Sequence, residues 1–330
     1  MSAQRESTTV QRVTVFVPGL TGGPQWPVPW PRSLSRLLAR ARPGTALREG
    51  LAERTLDLFR LPPASGLAAL ARLGEGQNRD ERWWVRCDPV YLAVDGDRLL
   101  LADNETLGLT ADEAMRLSGV VGPVFAEDGG TIEVYAPTRW YLTLPAPEPL
   151  VVSTLAQVAG GNVQDHLPSG NSRYWRTRLN EAQMLLHQAL LGSHGGEGLS
   201  MCVNSVWFWG PGYAPTTATR TFSHVYTDDV LMSGAAQATH AACTPVPSGC
   251  EGVNCEGDVL IVLRGAQGPV QYGDTLAWSA FLEALVAAWL TPLKERLARD
   301  QIQELVIGGD RGPMFRLTRR DLWRFWRAWR

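Results

Sequence analysis

One imidazole and three thiols lie close together in the second half of the chain: His240, Cys243, Cys250 and Cys255. Imidazole and thiolate are the ligands that zinc prefers, so a metal knuckle is the chemistry that these residue types could support. Structural zinc sites usually carry Cys-x-x-Cys pairs, and no two of these cysteines have that spacing. The sequence therefore favours free thiols over a metal site in this segment.

Charge and lysine content exclude several classes of function. The 330 residues include 31 Lys and Arg against 33 Asp and Glu, a net charge of −2. This balance argues against a generally basic protein, so we expect no nucleic-acid partner. Lys294 is the one lysine, and no GxxxxGK[ST] motif occurs. P-loop and Schiff-base chemistry are therefore not expected.

The sequence predicts a cytoplasmic protein without a transmembrane segment. Its first residues are polar and lack the apolar stretch of a signal peptide. Its 5 cysteines are an odd number, which favours reduced thiols. The most apolar stretch, Leu276–Leu290, contains Glu283 and is shorter than the roughly 20 residues that a membrane span needs. We expect a buried helix there.

Apolar strands alternate with helices along most of the chain. Buried strands are predicted at 13–19, 258–265 and 304–310, and helices at 33–41, 65–74, 172–191, 228–239 and 274–299. Ser65 is expected to cap its helix. This alternation predicts an α/β fold with a mostly parallel sheet that helices cover on both faces.

Residues 86–145 break that alternation. They contain a hairpin that turns at Asp95-Gly96-Asp97, a capping box between Thr110 and Glu113, and two further short strands. The sequence APEP at 146–149 is the best linker in the chain. A small α+β module is expected between these limits.

Five segments resemble one protein family along nearly the whole chain. PPASGLAALARLG resembles the family's nucleophile helix, with Ser65 at the serine position, and RCDPVYLAVDGD and RWYLTL resemble the segments that open and close its inserted domain. VNSVWFWGPGYAP resembles its Trp-x-Trp-Gly-x-Gly stretch, and QYGDTLAWSAFLEAL followed by ELVIGGDRGP resembles its Gly-Asp helix and last strand end. The family is the archaeal-type cofactor-independent phosphoglycerate mutases of the alkaline phosphatase superfamily. More narrowly, the chain resembles a bacterial branch labelled "regulatory protein, RpfE type".

The resemblance implies an alkaline-phosphatase-like, doubly wound sheet with an inserted small α+β domain. The core would comprise residues 1–85 and 146–330, and the insertion residues 86–145. In such sheets the ligand lies beyond the carboxyl ends of the strands, so the loops after Val17, Leu263 and Ile307 should converge.

The resemblance also implies two Mn or Mg ions that activate a serine nucleophile, held by about six Asp and His side chains. Here the chain departs from the family. The first strand ends in Val17-Pro18-Gly19, the last ends in Asp310-Arg311, and no histidine follows His240. Ser65 and Asp310 alone stand at matching catalytic positions, so the metal ligands are missing and we expect no metal cofactor.

The residues that would hold the substrate's phosphate are better preserved. Arg86 and Arg139 stand at plausible matching positions, and guanidinium groups bind phosphate bidentately. Alternatively, each pairs with an acid such as Asp88 or Asp103. Arg311 replaces a histidine ligand and either supplies positive charge or, as we favour, forms an ion pair with Asp310.

The C-terminal segment, residues 316–330, carries six arginines and one acid. Its apolar residues have helical spacing, which predicts an amphipathic helix. Such a helix docks on the sheet or binds an anionic surface.

These features give three functional hypotheses. The leading one is a cytosolic, non-catalytic regulatory protein that binds a phosphorylated or other anionic small molecule. The second is an active phosphoglycerate mutase or phosphatase-type enzyme with a site rebuilt around Ser65 and Asp310. The third is a protein- or membrane-surface interaction module that uses the C-terminal Trp/Arg helix.

Overall fold

The computed structural model describes residues 11–23, 26, 29–44, 47–102, 107–158, 162–167, 173–192, 203–324 and 326. Their contacts divide the chain into two compact units. The core unit comprises Met1–Leu61 and Ala218–Arg330, and the inserted unit comprises Pro62–Thr217. The predicted insertion at 86–145 falls inside the inserted unit; its exact limits stay a prediction.

The core unit contains a 7-stranded sheet in the order β2-β12-β11-β1-β10-β8-β9. The strands are β1 (Arg12–Phe16), β2 (Arg42–Pro43), β8 (His224–Tyr226), β9 (Ala242–Thr244), β10 (Asp258–Val262), β11 (Glu304–Gly308) and β12 (Phe315–Thr318). All pairs from β11 to β9 are parallel, and β12 and β2 add antiparallel pairs at one edge. The predicted mostly parallel sheet is confirmed.

The helices of the core unit are α1 (Arg32–Arg40), α2 (Leu51–Leu58), α8 (Val230–Ala238), α9 (Gln267–Tyr272), α10 (Thr275–Leu285) and α11 (Thr291–Ala298). Of these, α1, α10 and α11 bury apolar residues in one cluster with β1, β10 and β11. A π-helical turn, Val286–Leu290, joins α10 to α11. The central strands β1, β10 and β11 are almost wholly buried apolar runs, as strands covered on both faces should be.

By length and composition, one helix among the described residues could cross a membrane, Thr275–Ala298. Its side chains Trp278, Leu282, Leu285 and Trp289 are buried in the core cluster. The prediction of a buried helix is therefore confirmed for the side of the helix that carries these four residues.

The inserted unit contains a 5-stranded antiparallel sheet. Its strands are β3 (Trp83–Asp95), β4 (Arg98–Ala102), β5 (Thr131–Ala136), β6 (Arg139–Leu144) and β7 (Ser205–Gly212). The long strand β3 pairs with β4, β6 and β7. Around the sheet lie α3 (Leu67–Gly74), α4 (Ala111–Val121), α5 (Pro123–Ala126), α6 (Leu155–Val158) and α7 (Arg173–Gly192). The predicted hairpin at Gly96 and the capping box between Thr110 and Glu113 are confirmed.

The C-terminal segment differs from its prediction. Phe315–Thr318 forms strand β12 and Arg319–Trp323 a 3-10 helix, while residues 325 and 327–330 lie outside the described part. The predicted amphipathic helix is therefore wrong over 316–323. Residues 316–318 pair with β11 together with Phe315, and this ladder excludes a helix there.

Asp321 fixes the turn that follows β12. Its buried carboxylate accepts hydrogen bonds from the amide and hydroxyl of Thr318 at 3.0 and 2.7 Å, and it pairs with Arg42 at 3.1 Å and Arg324 at 3.0 Å. Burial alone would raise the pKa of Asp321, but these hydrogen bonds and cations outweigh burial and lower the pKa.

Asp321→Asn should therefore lower the free energy of unfolding at neutral pH by about 1–3 kcal/mol. A carboxyl with a lowered native pKa stabilises the fold above its unfolded pKa, and this contribution is lost as pH falls through the native value. The difference between the variant and the parent should thus shrink in urea titrations below about pH 4. Asp300→Asn, at an exposed acid of the same unit, is the control; equal effects of the two changes would contradict the assignment.

Candidate functional site

The carboxyl ends of β1, β10 and β11 lie at one level of the core sheet. Phe16 is paired with Val262 on one side and Gly308 on the other. The predicted convergence of the loops that follow these strands is thus built into the strand register. Beyond the strands, the Gly19 amide donates to Asp310 Oδ1 at 2.7 Å. The loops after β1 and β11 are therefore joined by a direct hydrogen bond.

Asp310 and Arg311 have different surroundings. Asp310 is half-buried, whereas Arg311 is exposed. No ion pair between them occurs in the described structure, so the favoured Asp310–Arg311 pair is not formed; Asp310 binds the Gly19 amide instead. The other expectation for Arg311, a free positive charge beside Asp310, stays a prediction.

An acid that follows β8 and a cation that follows β10 form an ion pair. Asp229 Oδ2 lies 3.4 Å from Arg264, and Asp229 Oδ1 accepts the Met232 amide at the start of α8. This pair was not predicted from the sequence. Its signal was an Asp immediately before the apolar helix 230–238, a typical N-cap position.

The residues at this edge do not fit the two metal ions that the resemblance implies. Across the described residues, no group of three or more His, Cys, Asp and Glu side chains lies close enough to hold a metal ion. At the strand ends stand Pro18, Gly19 and Arg264, which offer no carboxylate or imidazole. Asp310 is left as a lone matching ligand, with one oxygen already bound to an amide.

Ser65 belongs to the inserted unit and precedes α3. Its side chain is buried, and its Oγ has no hydrogen-bond partner within the described structure. It does not cap the helix as predicted, because Gly66 holds the N-cap position. Gly66 packs against the backbone of Gly212, and a Cβ at Gly66 would come within 2.3 Å of the Gly212 carbonyl carbon. This close backbone contact fixes the start of α3.

Arg86 pairs with an acid inside the inserted unit. Its Nε and Nη2 donate to Asp88 Oδ1 at 2.9 and 2.7 Å, and its Nη1 donates to the Tyr141 hydroxyl at 3.4 Å. Asp88 also accepts from the indole of Trp209 at 2.8 Å. Burial alone would lower the pKa of Arg86, but the charge of Asp88 reverses this and raises it. Of the two roles that the sequence left open, the geometry favours pairing with Asp88.

Arg139 is linked to Arg86 through two side chains. Arg139 donates to Glu75 at 2.6 and 3.1 Å, and the Tyr141 hydroxyl donates to the same carboxylate at 3.0 Å. Burial, the charge of Glu75 and its hydrogen bond together raise the pKa of Tyr141, so this hydroxyl stays protonated. The two predicted phosphate-binding arginines are thus joined by Tyr141 and Glu75 in one network that already contains its own carboxylates.

No protein-family model matches the chain, and no curated protein matches it in sequence. Several solved structures resemble it, among them the following two. The PH0037 protein from Pyrococcus horikoshii has a TM-score of 0.55 at 12% identity, over 94% of this chain and 88% of that one. The cofactor-independent phosphoglycerate mutase from Thermoplasma acidophilum has a TM-score of 0.44 at 13% identity, over 93% and 89%.

At 12% identity, the likeness to the PH0037 protein shows the fold alone. The α/β class, with a mostly parallel sheet and a separate antiparallel sheet, is confirmed. The alkaline-phosphatase-like family stays a prediction. The narrower bacterial branch stays a prediction.

Arg86→Met should lower the free energy of unfolding by about 3–5 kcal/mol, because it leaves the buried Asp88 carboxylate without its cation. Urea titration of the full chain measures this. Arg116→Met is the matched control, since Arg116 is exposed on α4. A loss no larger than that of the control would show that Asp88 does not need Arg86.

Proposed function

We propose that this chain is a phosphoglycerate-mutase-like, cytosolic protein that binds a phosphorylated or other anionic small molecule without turning it over. The observation that supports this is the pairing of Asp310 with the Gly19 amide at the carboxyl edge. A metal-dependent phosphotransferase needs several free carboxylates and imidazoles there to hold its ions. In this chain the strand ends offer Pro18, Gly19 and an Arg264 that is already paired with Asp229.

The serine nucleophile would also lack activation. Ser65 Oγ has no hydrogen-bond partner in the described structure, so no base there accepts its proton. An isolated serine hydroxyl is a weak nucleophile at neutral pH. A fold that keeps the ligand edge but not these groups is suited to binding rather than to turnover.

The test combines metal analysis with a mutase assay. After equilibration with Mn²⁺, the purified chain should hold less than one ion and should not interconvert phosphoglycerates. Calorimetry without metal should still detect phosphoglycerate binding. Two bound ions together with turnover would overturn the proposal, and loss of that turnover in Ser65→Ala would favour the enzyme with a rebuilt site.

A second candidate function rests on the C-terminal segment. Trp323 and Trp326 are 72% and 68% exposed, and six arginines lie between 316 and 330. Indole rings favour the interface between water and lipid, and arginines favour anionic headgroups. This combination fits an anionic membrane surface even though residues 316–323 are not an amphipathic helix.

Sedimentation with phosphatidylserine vesicles tests this candidate. Replacing Trp323 and Trp326 by serine should reduce the bound fraction, while Met115→Ser, at an exposed apolar residue of the inserted unit, should not. If the parent chain fails to sediment with anionic vesicles, the membrane role is wrong.

A further inference from the structure

Arg54 is a fully buried cation in the core unit. It lies on α2, and its relative exposure is 0%. Its Nη2 donates to the carbonyl of Gly312, while its Nε and Nη1 have no hydrogen-bond partner within the described structure. Removing a guanidinium from water without replacing its hydrogen bonds costs several kcal/mol. Two unmet donors on a buried charge therefore call for a partner.

No described acid forms an ion pair with Arg54. Asp310, Glu49 and Asp57 act on it through space, but each has another partner. Asp310 accepts the Gly19 amide, Glu49 accepts the Gly312 amide at 3.3 Å, and Asp57 binds Arg48 at 2.6 Å. Burial lowers the pKa of Arg54 and these acids oppose that shift. An arginine keeps its proton even so.

The other buried arginines of the described chain, Arg72 and Arg86, both form ion pairs with acids. Arg86 uses all three of its nitrogens and pairs with Asp88. Arg72 pairs with Asp80 at 3.2 Å and Glu133 at 3.0 Å. Arg54 is more buried than either and has neither kind of compensation.

The position of Arg54 is the one where open α/β sheets bind ligands. The loop after β11 touches α2 and its N-terminal flank three times: the Gly50 amide donates to the Asp310 carbonyl at 2.9 Å, the Gly312 amide to Glu49, and Arg54 to the Gly312 carbonyl. This loop follows a parallel strand at its carboxyl end. Ligands of such sheets bind beyond these ends.

We infer that Arg54 anchors an oxyanion site at the carboxyl edge of the core sheet, which takes the phosphoryl group of a small molecule. A phosphoryl oxygen supplies the acceptors that Nε and Nη1 lack and the negative charge that no described side chain brings into contact. The inference rests on the proposed function for the class of ligand. It moves the binding role away from Arg86 and Arg139, whose carboxylate partners are already in place.

The probe is inorganic phosphate, replacing chloride at constant ionic strength, with the melting temperature of the full chain as readout. Phosphate should raise the melting temperature of the parent and of Arg36→Met, an exposed arginine of the same unit. It should not raise that of Arg54→Met, and calorimetry should show phosphate affinity weakened by about tenfold or more. Acetate should stabilise the parent less than phosphate does.

Stability in phosphate-free buffer separates a binding role from a structural one. Methionine removes an uncompensated charge while keeping most of the volume, so Arg54→Met should be at least as stable as the parent. If instead it is less stable than the parent and phosphate has no effect on the parent, Arg54 is structural and the inference is wrong. Equal phosphate shifts in the parent and Arg54→Met, or equal effects of acetate and phosphate, would also overturn it.

A second variant and the mutase assay separate failure of this inference from failure of the proposed function. Should Arg54→Met fail to fold, Arg54→Lys keeps the charge but not the planar set of donors, and its phosphate shift should be smaller than that of the parent; an undiminished shift would count against the site. Metal-dependent turnover in the mutase assay would end the proposed function, yet phosphate stabilisation that depends on Arg54 would still establish the site.

Discussion

The parallel ladder of β10, β1 and β11 is the constraint on which the core unit depends. Its register sets Phe16 against Val262 and against Gly308, so three strands stop at one level. Whatever residue follows each strand must then lie at the same edge, regardless of its chemistry. A sheet of this kind keeps the place of a ligand site even when the residues of the site change. The hydrogen bond from Gly19 to Asp310 shows the outcome in this chain.

The charges at this edge are largely matched without ions. A two-metal site gathers several carboxylates whose mutual repulsion the bound cations offset. Here Asp229 is satisfied by Arg264 and by the start of α8, and Asp310 by a backbone amide. Two acids that are already bound to groups of the chain are too few to hold two divalent cations. The guanidinium of Arg54, in contrast, keeps two donors without a hydrogen-bond partner in the described structure.

The sequence predicted those helices and strands whose formation depends on residues that are close together in the chain. Long apolar runs identified β1, β10 and β11, and the capping box at Thr110 identified the start of α4. The predicted C-terminal helix is wrong over 316–323, where Leu317 joins a ladder whose partner strand lies elsewhere in the chain. The cap at Ser65 failed because Gly66 must approach Gly212, a contact between distant segments. Neither contact can be predicted from the residues that are close to it in the sequence.

The roles of the arginines were only partly readable from the sequence. Arg86 and Asp88 are two residues apart on one strand and so share a face, but the sequence left open whether Arg86 pairs with an acid or binds phosphate. Arg54 follows Leu51 by three residues and precedes Leu58 by four, so helical spacing places it among apolar positions. That spacing predicts burial, but it cannot show that the acids near Arg54 are bound to other groups. Because unmet donors on a buried charge lower stability, a bound anion that accepts from Nε and Nη1 would account for a buried arginine at this edge, whereas packing alone would not.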